Sequence, residues 1–302
     1  MPALEALRTA VDSLVESPIL FAAGLVYGLV LLPQTATQLL GLQFAPLLLQ
    51  VVTFFVTPFI IAGLIGMADE SIAEGSTTLG RLSDVGRERY IPLLLGNLVQ
   101  FGIVLVFIVL FAIVVLAGAV TLGLGGVAGG GAAVAGGALV LVAVVALLVL
   151  VFLVVSFFIQ FYQVAIVAGE ADTIEGYKES ISLVRANLLA TFGYSVINLV
   201  VGVLTSAPIT GFVVWRSLQQ SGGFSGAGGA AGGTPPMAGG TGGAAMGSLF
   251  STTEAIALAL ITLALAMVLT TFQQTYATAF YRRHDTGQSI EERVLDDESE
   301  AF

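Results

Sequence analysis

An all-α polytopic membrane protein is the fold class this sequence predicts, and three observations predict it. First, six apolar runs each exceed the ~20 residues a helix needs to cross a ~30 Å hydrocarbon core. Second, none of these runs alternates with the period of two that a barrel strand requires. Backbone groups in lipid must be satisfied within their own segment, so the runs are helices. Third, the spacing F-x-x-x-[FY]-x-x-A occurs three times: Phe55, Phe59, Ala62; Phe158, Tyr162, Ala165; and Phe272, Tyr276, Ala279. Self-similarity at a long period signals repeated units. The expected unit is an interfacial amphipathic helix followed by a transmembrane hairpin, over about residues 1–70, 71–170 and 171–284. Two crossings per unit give three parallel repeats related about an axis along the membrane normal.

In chain order, the N-terminal MPALEALRTAVDSLVESP is acidic and amphipathic and has no basic n-region of a signal peptide, so the first span is expected to stay in the mature protein. Leu4, Leu7, Val11 and Leu14, spaced 3, 4, 3, mark one helical face that would lie along the membrane surface. The spans follow at Pro18–Leu40 and Phe44–Met67, with Pro33 and Pro58 as kink positions. Gly24 with Gly28, and later Gly193 with Ser195, allow close helix approach. An acidic exit, Asp69, Glu70, Ile72, Glu74 and Gly75, leads to a second, less regular amphipathic stretch around Leu79, Leu82 and Val85.

The third and fourth spans, Ile91–Ala117 and Leu139–Ala168, are long enough to tilt, and the uncharged 118–137 stretch between them reads as a hairpin tip. A second acidic exit, Glu170, Asp172, Ile174, Glu175 and Gly176, resembles the first. Ile174, Tyr177, Ile181 and Val184 repeat the 3, 4, 3 spacing, and SLVRANLL from Ser182 echoes SLVESPIL from Ser13. The fifth span is Leu188–Trp215, with Pro208 inside it. Residues 217–248 are Gly-rich and too poor in apolar bulk to fold alone, so a flexible outer loop is expected. The sixth span, Thr252–Tyr281, completes a single membrane domain over 1–284; a third, weaker exit (Asp285, Ile290, Glu291) opens the acidic tail 285–302.

Composition narrows the function. At 57% hydrophobic and 10% charged, the chain has little polar surface for a separate soluble domain. Net charge is −10, with nine Arg and only Lys178 as a lysine, a balance that suits the strongly solvated acidic surface of a halophile. It argues against nucleic acid, since no basic stripe is present. Cysteine is absent, which excludes a thiolate nucleophile and Cys-ligated metal. The single histidine, His284, reads as a juxtamembrane polar residue beside Arg282 and Arg283. No cofactor is expected.

Nine of the ten basic residues fall in the N-terminal segment, the second and fourth loops and the tail. The positive-inside rule makes that side cytoplasmic, with both termini inside and the cytoplasmic membrane as the location. Arg216 and Glu254, left on the outer side, are placed to pair across the fifth loop.

Nothing in the sequence forms a triad or metal cluster, and the acidic exits read as solvated surface before they read as a cation site. The span interiors carry no Asp, Glu, Lys or Arg, which argues against a proton-coupled path. What remains is a neutral polar seam: Thr57, Gln160 and Gln274 at one repeat position, with Asn97, Gln163, Asn198 and Gln273, and Gln100 nearby. Such amides either join helices or line a solute path; the absence of accompanying charge favours joining.

The hairpin unit with its F-x-x-x-[FY]-x-x-A spacing and acidic exit resembles a haloarchaeal multi-pass membrane family of unassigned activity. That family is similar to the membrane domain of some glycerophosphoryl diester phosphodiesterases. The phosphodiesterase activity of those relatives resides in a soluble domain, and no segment here is long and polar enough to supply one. The resemblance therefore implies a non-catalytic membrane protein that organises lipid or a partner protein, with a small-solute permease as the alternative.

Overall fold

The computed structural model describes the backbone of residues 2–42, 44–128, 130–220 and 251–300, and side chains over 3–42, 44–121, 136–216 and 251–284. Most of the Gly-rich tract 217–248 and the side chains of the tail 285–302 lie outside the described residues. The helices are α1 (Pro2–Glu16), α2 (Leu20–Leu39), α3 (Ala45–Glu74), α4 (Leu79–Glu88), α5 (Tyr90–Ala128), α6 (Gly130–Ile159), α7 (Tyr162–Val167), α8 (Thr173–Ala186), α9 (Leu188–Gln220) and α10 (Thr252–Glu300).

Among the described residues, six stretches are long and apolar enough to cross a membrane: Leu20–Leu39, Ala45–Glu74, Tyr90–Thr121, Gly136–Val167, Leu188–Arg216 and Thr252–His284. They match the expected spans to within a few residues, except that α3 continues through its acidic exit to Glu74. Gly75, at φ 75°, stops it in the left-handed region that favours glycine, and its N–H donates to the Ser71 carbonyl (2.9 Å). The stretch 118–137 is largely taken up by the ends of α5 and α6.

The chain forms two compact units, one of Met1–Tyr90 with Asn187–Phe302 and one of Ile91–Ala186. In the first, α2 packs on α3 and α10. Gly24 sets that approach: a Cβ there would overlap Thr271 Oγ1 and stand 2.6 Å from the Met267 carbonyl oxygen, and one at Gly28 would stand 3.2 Å from the Leu263 carbonyl oxygen. This is small-residue packing of the kind membrane helices use where lipid offers no hydrophobic drive for association. Gly193 is a looser contact, 3.4 Å from Ala3 Cβ. Leu14, Leu20, Ala23, Leu64, Met67 and Ala68 form a buried cluster where α1, α2 and α3 meet. Asp69 on α3 holds Arg282 on α10 with both carboxylate oxygens, Nη2 to Oδ2 at 2.9 Å.

In the second unit the fourth span is not one helix. It breaks at Gln160–Phe161, between α6 and α7. The cause lies in α8: Ser180, fully buried, accepts a hydrogen bond from the Phe161 N–H (3.1 Å) and donates to the Phe158 carbonyl (2.9 Å). A side chain inserted into the i→i−4 ladder is a recognised source of helix breaks, and here it keeps both main-chain groups satisfied.

Of the expected faces of the amphipathic helices, Leu4, Val11 and Ile174 are outward, whereas Leu14 and Val184 are buried. The burial side of α1 is the small-residue face Ala3, Ala6, Ala10 and Ser13 with Leu14, whereas Leu4 and Val11 are exposed by 52% and 44%. In α8 the buried set is Gly176, Ser180, Leu183 and Val184, with Ile174 outward. The positions 6, 10, 13, 14 and 176, 180, 183, 184 have the same spacing. Small residues let a helix seat closely on its neighbour, so the bulky apolar residues are left for the outer side.

Candidate functional site

Each amphipathic helix docks at the second aromatic of one F-x-x-x-[FY]-x-x-A motif. On α3, a Cβ at Gly86 of α4 would stand 2.9 Å from the Phe59 carbonyl oxygen. On α7, Tyr162 stacks face to face with Tyr177 of α8, with ring centroids 4.7 Å apart and planes at 5°. Ile166 covers Gly176, where a Cβ would meet its Cγ1 at 2.5 Å. On α10, the Tyr276 hydroxyl donates to the Ala3 carbonyl of α1 (3.1 Å), and Tyr194 of α9 packs on Tyr276 and Phe280. The alanine closing each motif, Ala62, Ala165 and Ala279, is buried. Thus α4 and α8 dock on the span before them, and α1 docks on the last span.

The densest polar constellation surrounds Tyr162. Its hydroxyl lies 2.7 Å from Asn97 Oδ1 and also meets Gln100 Oε1, while Gln163 Nε2 donates to the phenol oxygen (3.1 Å) and reaches Asn97 Oδ1 (3.4 Å). A phenol has one proton, so it donates to one amide oxygen while the other amide turns its NH2 group inward. Tyr177 donates to the Gly96 carbonyl (2.8 Å) and Thr173 to the Pro92 carbonyl (2.9 Å), tying α8 to the start of α5. Burial first, and the neighbouring Tyr162 second, push the Tyr177 hydroxyl above its ordinary range, which keeps it protonated as a donor.

The other seam residues are not brought together. Gln160, at the break, donates from Nε2 to the Phe157 carbonyl of the adjoining α6 (3.0 Å). Thr57, Gln273 and Gln274 are half-buried, and no hydrogen bond joins them to one another or to Asn198 among the described residues. Asn198 Oδ1 is buried without a partner among the described residues. None of the seven seam residues lines either of the two open depressions described, one of about 480 Å3 at Glu170, Glu175, Lys178 and Glu179, the other of about 400 Å3 at Phe55, Val56, Phe59, Arg87 and Tyr90.

A polar contact between α2 and α3 escaped the sequence reading. Gln34 Nε2 donates to Gln50 Oε1, and the Thr53 hydroxyl donates to Gln34 Oε1 (3.2 Å). The signal was available, since amides in an apolar span seek partners. Arg216 and Glu254 do pair, Nη2 to Oε1 at 2.6 Å. The acidic exits, alike in letters, differ in space. Gly75 terminates α3, whereas Gly176 sits inside α8, and in the second exit Glu170 takes the left-handed position (φ 57°). Among the described residues no group of three or more His, Asp or Glu is placed to hold a metal ion. His284 is buried, with Nδ1 2.8 Å from the Phe280 carbonyl oxygen.

These features define an all-helical chain with, among the described residues, six helices long and apolar enough to cross a membrane and shorter amphipathic helices docked on them. The chain belongs to the family described as a domain of unknown function, DUF7847, which matches residues 1–284. No curated protein and no solved structure matches it.

Proposed function

We propose that this is a non-catalytic integral membrane protein that organises lipid, or a partner protein, at the cytoplasmic membrane surface through its three amphipathic helices. The observation that carries the reading is their division of faces. Close packing at small residues, those of α1, Gly86 of α4 with Gly63 and Gly66 of α3 beneath it, and Gly176 and Ser180 of α8, holds these helices to the spans, and Leu4, Val11, Val15, Leu79 and Ile174 remain outward. Arg8, Arg81, Arg87, Lys178 and Arg185 lie on the same helices, an apolar and basic combination that suits a helix lying in the interface plane. The concentration of basic residues supports placing that surface, and both termini, on the cytoplasmic side. The matching burial spacings of α1 and α8, and the docking at Phe59, Tyr162 and Tyr276, support three parallel repeats. The acidic composition supports kinship with the haloarchaeal proteins the chain resembles.

Reconstitution with headgroup-labelled lipid tests the reading. The protein should immobilise a fraction of surface lipid, and Leu4→Asp with Ile174→Asp should reduce that fraction while helicity is retained. An unchanged fraction contradicts the reading. One observation favours the alternative of a small-solute permease: the unpartnered buried oxygen of Asn198. Glycerol flux into proteoliposomes, abolished in a stable Asn198→Leu variant, would establish it instead.

A further inference from the structure

We propose that the depression lined by Phe55, Val56, Phe59, Arg87 and Tyr90 binds an anionic phospholipid, with its phosphate on Arg87 and one acyl chain running along α3. The proposal deepens the lipid-organising reading and rests on α4 lying at the membrane surface.

Charge complementarity selects the occupant. Arg81 and Arg89 are offset by Glu70 (3.9 Å) and Glu88 (3.4 Å), Arg282 by Asp69 and Arg283 by Glu5. Arg87 has no carboxylate partner among the described residues, and its side chain borders an apolar depression of about 400 Å3. An unpaired guanidinium presents a fork of N–H donors that matches a phosphodiester. The other depression contrasts with it: Lys178 there is surrounded by Glu170, Glu175 and Glu179, which would repel a phosphate.

Below Arg87 the surface is shaped for a hydrocarbon chain. Phe59, Phe55, Val52 and Leu48 recur at 4, 3, 4 along α3, one helical face, and Phe55, Val52 and Leu48 are exposed. The eleven steps from Leu48 to Phe59 cover roughly 16 Å at 1.5 Å per residue, about half of a ~30 Å core and so one leaflet. Tyr90 forms the wall at the boundary, and its hydroxyl is fixed on the Phe55 carbonyl (2.9 Å), one turn before Pro58. Aromatic rings of this kind are enriched at headgroup level.

The test is native mass spectrometry of the full-length protein released from bilayers of equal parts phosphatidylglycerol and phosphatidylcholine. Phosphatidylglycerol should be retained about fivefold over phosphatidylcholine, which corresponds to the ~1 kcal/mol a basic residue contributes beside an anionic surface. Arg87→Gln should abolish that preference, Arg87→Lys should keep most of it, and Lys178→Gln should leave it intact. Phe55→Ala should lower retention of both lipids. Equal retention of the two lipids, or equal losses in Arg87→Gln and Lys178→Gln, would overturn the site. A nitroxide at Leu79 separates the two levels of the argument. Lipid exposure of that label without phosphatidylglycerol preference defeats the site alone, whereas water exposure defeats the interfacial placement as well.

Discussion

Replacing Ser180 with Ala removes the oxygen that accepts from the Phe161 N–H and the hydroxyl that donates to the Phe158 carbonyl of the fourth span. The Phe161 N–H and the Phe158 carbonyl now share that hydroxyl at 3.1 and 2.9 Å, and Ser180 is fully buried. An unsatisfied buried group costs about 1–3 kcal/mol. The two together give about 2–4 kcal/mol, the upper range being reduced because a carbonyl freed at a break can re-engage a neighbouring amide. Denaturation by dodecyl sulfate in mixed micelles, followed by helical ellipticity, measures the loss. Ser182→Ala, an exposed change on the same helix, should stay within about 0.5 kcal/mol of the parent. Amide exchange at Phe161 should also accelerate in Ser180→Ala. Stability of Ser180→Ala indistinguishable from Ser182→Ala, with Phe161 still protected, would refute the assignment of the break to this hydroxyl.

Gly24→Val should force α2 from α10 and cost about 1–3 kcal/mol in the same assay, whereas Gly102→Val, with no atom near its Cβ position, should be close to neutral. Tyr162→Phe removes the phenol from Asn97, Gln100 and Gln163 and should destabilise the protein by about 1 kcal/mol. A double-mutant cycle on Arg216 and Glu254 should return only a small coupling that weakens with salt, because both side chains are about a third exposed. Asp69→Asn should cost more than either half of that cycle, since Asp69 is the more buried partner of a two-pronged pair with Arg282.

The spans were legible because length and apolarity alone define them, and both are read directly from the chain. The Arg216–Glu254 pair was legible for a similar reason: these two charges stand apart from the rest. The docking face of α1 was not legible. Periodicity assigns Leu4, Leu7 and Val11 to one face along the membrane surface and leaves the opposite face unmarked, since alanines 3, 6 and 10 carry little apolar signal. Only their packing shows that the small face meets protein and the bulky face is left outward. The break at Gln160–Phe161 was hidden because the apolar run continues through it, and the hydroxyl responsible is 19 residues away in a helix that reads as polar. Of the polar seam, Asn97 and Gln163 meet at Tyr162, with the nearby Gln100, but the Gln34, Gln50 and Thr53 contact was missed. Single amides in an apolar background give no indication of which will face each other. The likeness of the two acidic exits was a likeness of composition, and the backbone resolved it into a helix stop in one case and a helix interior in the other.

Whether the protein organises lipid depends on where the outward faces of α1, α4 and α8 reside. Nitroxides introduced singly at Leu4, Leu79 and Ile174 of the full chain in phosphatidylglycerol-containing vesicles, compared with labels at Asp12, Asp84 and Glu179, report this by relative accessibility to oxygen and to a water-soluble nickel complex. All three apolar positions should favour oxygen, placing them within the outer part of the hydrocarbon layer, while the three acidic positions favour nickel. Nickel accessibility at Leu4, Leu79 and Ile174 equal to that at the acidic positions would contradict the central claim that these helices face lipid.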